Sequence, residues 1–229
     1  MSPLEWVGRH SPSMSSLFRP GSNTAFRLVL LLIVGGAAGT LGGLMVWARV
    51  PSGTGQQEPL IQPVQFDHRH HIADDGIDCR YCHTSVDRGP SAGLPSTALC
   101  MNCHAQIWNR SPRLEPVRES YFTGQPIPWM RVHRLPDFVY FNHAIHVTKG
   151  VGCETCHGRV DQMPAIEQVA PLTMGWCIDC HRNPAPNLRP LDQVTTMGWT
   201  PAGDPAALAQ ELMKRHDVHS RVSCTTCHR

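Results

Sequence analysis

The apolar residues of this chain are concentrated in one uninterrupted stretch near its N-terminus. Residues 28–47 read LVLLLIVGGAAGTLGGLMVW and contain no charged side chain. About twenty such residues suffice to cross the hydrocarbon core of a bilayer as an α-helix. The pattern therefore predicts one transmembrane helix, which we place at residues 28–48.

The charges that flank this stretch predict its orientation. Arg9, Arg19 and Arg27 precede it, whereas Arg49 follows it directly. Basic residues are enriched on the cytoplasmic side of membrane helices, so residues 1–27 are predicted to be cytoplasmic. A cleaved signal peptide is the alternative, but its apolar region is typically shorter. We expect a single-pass anchor in a bacterial inner (cytoplasmic) membrane, with the remainder of the chain in the periplasm.

Small residues recur on one face of the predicted membrane helix. Gly35, Gly39 and Gly43 follow each other at intervals of four. Such faces let another helix approach closely, although glycine is also generally common in membrane helices. We interpret this face as a contact with the membrane helices of a partner protein.

The remainder of the chain lacks long periodic patterns. Residues 49–65 are rich in Pro, Gly and Gln and are predicted to form an extended linker. Residues 66–229 are predicted to form one exported domain, mainly α but with little regular secondary structure, because its prolines interrupt both helices and strands. One ordinary helix is predicted where Asp204 can act as the N-cap and Pro205 as the first helical residue. It would bring His216 to its C-terminal end.

All ten cysteines of the chain lie in five Cys-x-x-Cys-His motifs. This motif attaches c-type haem, since both cysteines form thioethers with the porphyrin and the histidine ligates the iron. The predicted thioether cysteines are Cys79 and Cys82, Cys100 and Cys103, Cys153 and Cys156, Cys177 and Cys180, and Cys224 and Cys227. The predicted proximal ligands are His83, His104, His157, His181 and His228. Five covalent c-type haems are therefore expected.

Two other uses of these cysteines are less compatible with the pattern. Zinc ribbons also pair Cys-x-x-Cys units, but they do not need a histidine after each unit, and a fifth unit would lack a partner. Disulfides between cysteines so close in sequence would close only small loops. The net charge of +2 does not discriminate, and the chain has no basic run that would suggest nucleic-acid binding.

Histidine pairs precede three of the motifs and define an internal repeat. His68 and His71 precede the motif at Cys79, and His143 and His146 precede the motif at Cys153. A shorter version, His216 and His219, precedes the last motif. An electron-carrying haem usually has a second strong ligand in the sixth position of its iron. Histidines three apart on a helix point to neighbouring sectors, so each pair can serve two irons.

The candidates for the sixth position outnumber the haems. They are His68, His71, His133, His143, His146, His216 and His219. His70 departs from the spacing of the pairs and is expected to be exposed.

The layout F-x-H-x-x-H followed by C-x-x-C-H resembles the cytochrome c3 and c7 families. The resemblance implies that the first histidine of a pair caps the haem of the next motif and that the second caps another haem. His68 and His143 would then face the haems at Cys79 and Cys153. In the third pair the spacing is shorter, and either histidine could be the ligand.

Nearly all of the chain is similar to the membrane-anchored pentahaem cytochrome c subunit of alternative complex III. The matching stretches are DCRYCHTSVD, CMNCHAQIW, WMRVHRLPDFVYFNHAIHV and LTMGWCIDCHRNP. The resemblance implies an electron-transfer subunit of a quinol:electron-acceptor oxidoreductase, without substrate chemistry of its own. Its implied partners are iron–sulfur and quinol-binding integral membrane subunits, and a mono-haem cytochrome c or another periplasmic acceptor.

The same resemblance favours His133 as a ligand and makes Met174 a candidate for one haem. A methionine that fills a gap in the core is the other interpretation of Met174. A small membrane-anchored quinol dehydrogenase that feeds periplasmic reductases is the alternative for the whole chain. Those proteins often have Met two residues after the proximal histidine, whereas this chain has Ser85, Gln106, Arg159 and Asn183 there.

Overall fold

The structure is a computed structural model that describes residues 21–229, in two compact units that meet between Ala48 and Arg49. Arg9 and Arg19, and with them most of the predicted cytoplasmic segment, lie outside the described residues.

The first unit contains helix α1, Ser22–Trp47. It begins at Ser22 instead of residue 28, because the polar residues ahead of the apolar stretch also adopt helical geometry. Within the described residues it is the one helix long and apolar enough to cross a membrane, a test that a signal sequence near the N-terminus would pass as well. The N-in orientation and the partner contact of its glycine face therefore stay predictions.

The second unit is built from short helices joined by irregular segments. The α-helices are α2 Pro51–Thr54, α3 Cys79–Cys82, α4 Thr97–His104, α5 Glu115–Thr123, α6 His143–Thr148, α7 Cys153–His157, α8 Met174–Arg182, α9 Pro205–Arg215 and α10 Cys224–Cys227. Between residues 21 and 229 only two isolated β-bridges form, and no strand. The mainly helical, sheet-free prediction is confirmed.

Local capping explains why such short helices form. The side chain of Asp78 accepts a hydrogen bond from the Arg80 amide at 2.8 Å and caps α3. Asn142 and Thr173 cap α6 and α8 in the same way. Asp204 caps α9 through the Ala206 amide at 2.9 Å, and His216 follows the last residue of that helix as predicted. Caps satisfy amide groups that have no partner within the helix.

The segment predicted as an extended linker is instead packed against the rest of its unit. Pro51–Thr54 forms a helical turn, and the side chain of Gln168 donates to the Thr54 carbonyl at 3.0 Å. Val64 is buried with Val117 and Ile127. Proline and glycine correctly indicated irregular backbone, but these long-range contacts left no local signal in the sequence.

The apolar core of the second unit is small and divided. One cluster consists of Val64, Val117 and Ile127, and the other of Val86, Val147 and Val194. Cysteines of the motifs pack against both clusters, Cys100 on the first and Cys153 on the second. The motifs at Cys100 and Cys153 therefore lie directly on the core, where a bound haem would add apolar surface to it.

Candidate haem-binding sites

Four of the five predicted proximal histidines are oriented by backbone carbonyl groups. Nδ1 lies 2.8 Å from the Gly93 oxygen in His83, 3.1 Å from the Ile107 oxygen in His104, 3.0 Å from the Arg221 oxygen in His181 and 3.0 Å from the Phe138 oxygen in His228. A carbonyl can only accept, so each Nδ1 carries the proton. This tautomer leaves Nε2 with a free lone pair, and the hydrogen bond fixes the ring as in other metal-binding histidines.

Three of the distal candidates have the same arrangement. Nδ1 of His71 and of His146 bonds to the carbonyl four residues earlier, at 3.0 and 2.7 Å. Nδ1 of His143 bonds to the Pro90 carbonyl at 2.8 Å. Their Nε2 atoms are thus also left as electron-pair donors.

Three pairs of histidine rings face each other at the separation that an iron between them requires. Metal–imidazole nitrogen bonds are about 2 Å long, so two rings on opposite sides of one iron have centroids roughly 6 Å apart. The centroid distance is 6.4 Å for His143 and His157, whose planes differ by only 10°. It is 6.2 Å for His71 and His104 and 5.9 Å for His146 and His181.

These distances agree with the expectation that the two histidines of one sequence pair bind the irons of two different haems. His143 faces the proximal histidine of the next motif, and His146 faces that of the motif after it. His71 faces His104 in the equivalent way. The pKa of His68 is lowered to about 4, first by burial and then by the charge of His83, so His68 lies within electrostatic range of the proximal histidine expected from the repeat.

A phenylalanine contacts both histidines of each of the first two sequence pairs, His68 with His71 and His143 with His146. Phe66 stacks on His71 with ring centroids 4.5 Å apart and meets the edge of His68 at 4.6 Å. Phe141 does the same for His146 and His143, at 4.5 and 4.8 Å. The sequence contained a signal for this role, since both phenylalanines stand two residues before the first histidine, but it did not reveal the stacking.

Three buried histidine nitrogens have no hydrogen-bond partner among the described residues: Nδ1 of His68, Nε2 of His133 and Nε2 of His216. An unpaired buried polar atom is costly and calls for an explanation. In His133 and His216 the buried atom without a partner is Nε2, which usually binds haem iron, so these residues fit a ligand role. The donor set therefore suits haem.

The remaining candidates differ in their surroundings. The ring of His133 packs at 4.3 Å against His157, which is closer than two ligands on opposite sides of an iron. His219 is exposed, and its Nε2 bonds to Asp217 at 2.7 Å. In the third pair His216 is therefore the better placed ligand. His70 is exposed as predicted and pairs with Asp74 at 2.8 Å.

Met174 is 64% exposed at the first turn of α8. The interpretation of Met174 as a core gap-filler is wrong, because no apolar cluster of the polypeptide covers its side chain. Its role as a haem ligand stays a prediction.

A buried arginine, which the sequence did not single out, supports the motif at Cys153. Arg189 is 8% exposed, donates to the Thr196 carbonyl at 2.7 Å and pairs with Glu154 inside the motif at 3.4 Å. Its guanidinium lies so close to Gly152 that a Cβ at that position would clash with Nε, Cζ and Cδ of Arg189. A glycine is thus required at position 152 because the Arg189 side chain approaches the backbone closely, and not because the backbone there has an unusual φ angle.

The number of attached cofactors is directly testable. We expect the intact mass of the mature chain to exceed that of the polypeptide by five haem masses, because each of the five motifs has both cysteines and its histidine. Mass spectrometry of the purified protein measures this. A mass with four haems or fewer, or stoichiometric zinc, would contradict the prediction.

Comparison with known proteins agrees with this chemistry. Residues 145–229 match the family model described as cytochrome c3. Over 129 residues the chain is 36% identical to the menaquinone reductase multihaem cytochrome c subunit of Nitratidesulfovibrio vulgaris (strain Hildenborough). The match covers 54% of this chain and 60% of that protein. The chain thus has a mainly helical, cytochrome c3-like multihaem domain of electron transport, with covalently bound c-type haems and one apolar helix ahead of it.

Proposed function

We propose that this chain is an electron-transfer subunit of a membrane quinol:acceptor oxidoreductase of the alternative complex III type. The observation that carries the proposal is the set of three facing histidine pairs, each about 6 Å between centroids. Two histidines on one iron leave no position for a substrate. Such haems exchange single electrons, and five of them would relay electrons towards a periplasmic acceptor.

The polypeptide contributes orientation and a fixed environment. Carbonyl groups hold the proton at Nδ1 in four of the predicted proximal histidines and in three of the distal candidates. The Nε2 atoms of these rings would therefore be available to bind haem iron. Phe66 and Phe141 each stack on one histidine of a pair and contact the edge of the other, which restricts the movement of both rings. Burial lowers the pKa of His157 to about 3, so that this ring stays unprotonated and available as a ligand at neutral pH.

The remaining parts of the proposal rest on similarity and on the anchor. The relative from N. vulgaris is by name a subunit of a menaquinone reductase, and the chain spans about 60% of its length. The N-terminal apolar helix would fix the haem domain to the periplasmic face of the inner membrane. Quinol-binding and iron–sulfur membrane subunits would supply electrons, and a mono-haem cytochrome c or similar protein would accept them.

The word reductase in the name of that relative favours one further candidate, a membrane-anchored multihaem quinol dehydrogenase. In that case the chain itself would oxidise quinol. The two functions differ in whether other subunits are needed.

Quinol oxidation by the purified chain distinguishes them. We expect the anchored chain alone, in mild detergent with a reduced menaquinone analogue, to have its haems reduced far more slowly than in native membranes. Dithionite should still reduce all haems, which controls for damage. Equal rates for the isolated chain and for membranes would contradict the subunit role and favour the dehydrogenase.

A further inference from the structure

The five attachment motifs are numbered here in chain order. Motif one is Cys79–His83, motif two Cys100–His104, motif three Cys153–His157, motif four Cys177–His181 and motif five Cys224–His228. Within each repeat the histidine pair joins two motifs. His68 and His71 reach motifs one and two, and His143 and His146 reach motifs three and four.

The two repeats meet through their first motifs. The Cys153 amide donates to the Val194 carbonyl at 3.0 Å, while the thiol of Cys79 lies 4.0 Å from the carbonyl of the next residue, Thr195. The Thr195 hydroxyl donates to Asp78, directly ahead of motif one, at 2.6 Å. The side chains of Cys79 and Cys153 are also close enough to interact with each other.

Apolar packing and a further hydrogen bond also stabilise this junction. Val86 follows motif one, Val147 follows the second histidine pair, and both are buried with Val194. His143 of the second repeat is held by the carbonyl of Pro90, in the loop after motif one. Motifs one and three are thus neighbours although motif two lies between them in the chain.

Motif five is attached to motif four. His181 and Arg221, which stands just ahead of motif five, exchange two hydrogen bonds of 3.0 and 3.2 Å. At the other end, the Asn102 side chain of motif two lies 3.5 Å from the Tyr81 hydroxyl of motif one.

We infer that the motifs form a row in the spatial order two, one, three, four, five, with the first two repeats joined head to head. The solvent exposure of the motif cysteines agrees with this order. Among the ten cysteines the two exposed ones are Cys103 and Cys224, which belong to the end motifs two and five. Motif three, in the middle, is the most enclosed, because it is the one of the five motifs that contains no exposed residue.

This order specifies the electron path within the proposed function. It depends on that proposal in one respect, the presence of a haem at each motif. The cofactors at motifs two and five are then the ones that a donor and an acceptor protein can reach. Chain order alone would have put motif one at an end of the row.

Haem-resolved NMR during stepwise oxidation of the full-length protein tests the order. Neighbouring haems influence each other's paramagnetic shifts and potentials most strongly, because both effects decrease with distance. In the wild-type protein we expect strong mutual influence for the combinations one–two, one–three, three–four and four–five. The combination two–five should show the weakest influence.

Two matched variants sharpen the test. His71→Met should raise the reduction potential of the haem at motif two. Among the other four haems, it should perturb the one at motif one most and the one at motif five least. His146→Met should perturb the haems at motifs three and five most. A stronger influence between motifs two and three than between one and three, in wild type or variant, would overturn the order. The result is independent of quinol oxidation, so the order and the proposed function can fail separately.

Discussion

Replacing His143 by alanine should convert one haem, and only one, from low-spin to high-spin. The ring of His143 lies 6.4 Å from that of His157 and nearly parallel to it, as expected for two ligands of the haem at Cys153 and Cys156. The thioethers and His157 would keep this haem attached, while its sixth position would open. After reduction that position should bind carbon monoxide.

The measurement is the optical and EPR spectrum of the variant, with carbon monoxide titrated against the reduced protein. About one fifth of the total haem should react if five haems are present. His70→Ala is the matched control, since His70 is exposed and paired with Asp74, and it should leave all haems low-spin. A His143→Ala protein without high-spin haem, together with a high-spin haem in His70→Ala, would disprove the assignment from the repeat.

Replacing Gly152 by alanine should destabilise the haem domain by about 1–3 kcal/mol, the usual cost of overpacking a well-packed site. The new Cβ would overlap with Nε, Cζ and Cδ of the Arg189 side chain. That side chain cannot move freely, because it bonds to Thr196 and Glu154 and its guanidinium lies 5.6 Å from the centre of the Trp199 ring.

Denaturant unfolding of the full chain in detergent, monitored by circular dichroism and haem absorbance, measures this loss. Gly175→Ala is the matched control, because no atom lies within 4 Å of the position that its Cβ would take. Its stability should be unchanged or rise by up to about 1 kcal/mol, since alanine favours a helix over glycine. Adding Arg189→Ala to Gly152→Ala should cost less than the sum of the two single changes. Wild-type stability of Gly152→Ala would show that the arginine is not constrained.

Prediction from sequence succeeded where the chemistry is carried by residues close together in the chain. Cysteines and histidines within five consecutive residues define a haem attachment motif whatever surrounds them. Helix α9 was predictable for the same reason, because Asp204 and Pro205 act on the turn that directly follows. The spacing of His143 and His146 indicated two separate targets, and the structure turns their rings towards two different proximal histidines.

Prediction failed where distant segments meet. Residues 50–65 had the composition of a linker, but Val64 is buried against Val117 and Ile127. One of the two interpretations of Met174 placed its side chain in the core, yet that side chain is exposed. Periodicity reveals which face of a long helix is buried, and helices as short as α3 or α10 contain too few residues to show it.

The sequence by itself determined the kind of cofactor and the apolar helix and predicted the positions of covalent attachment, because each depends on a contiguous run of residues. The tertiary structure alone decided which histidines face each other, that Arg189 closes over Gly152, and which motifs are neighbours. These relations depend on contacts such as Cys153 to Val194 and Asp78 to Thr195. Such contacts form only when irregular segments, whose course no local pattern specifies, pack around a small divided core.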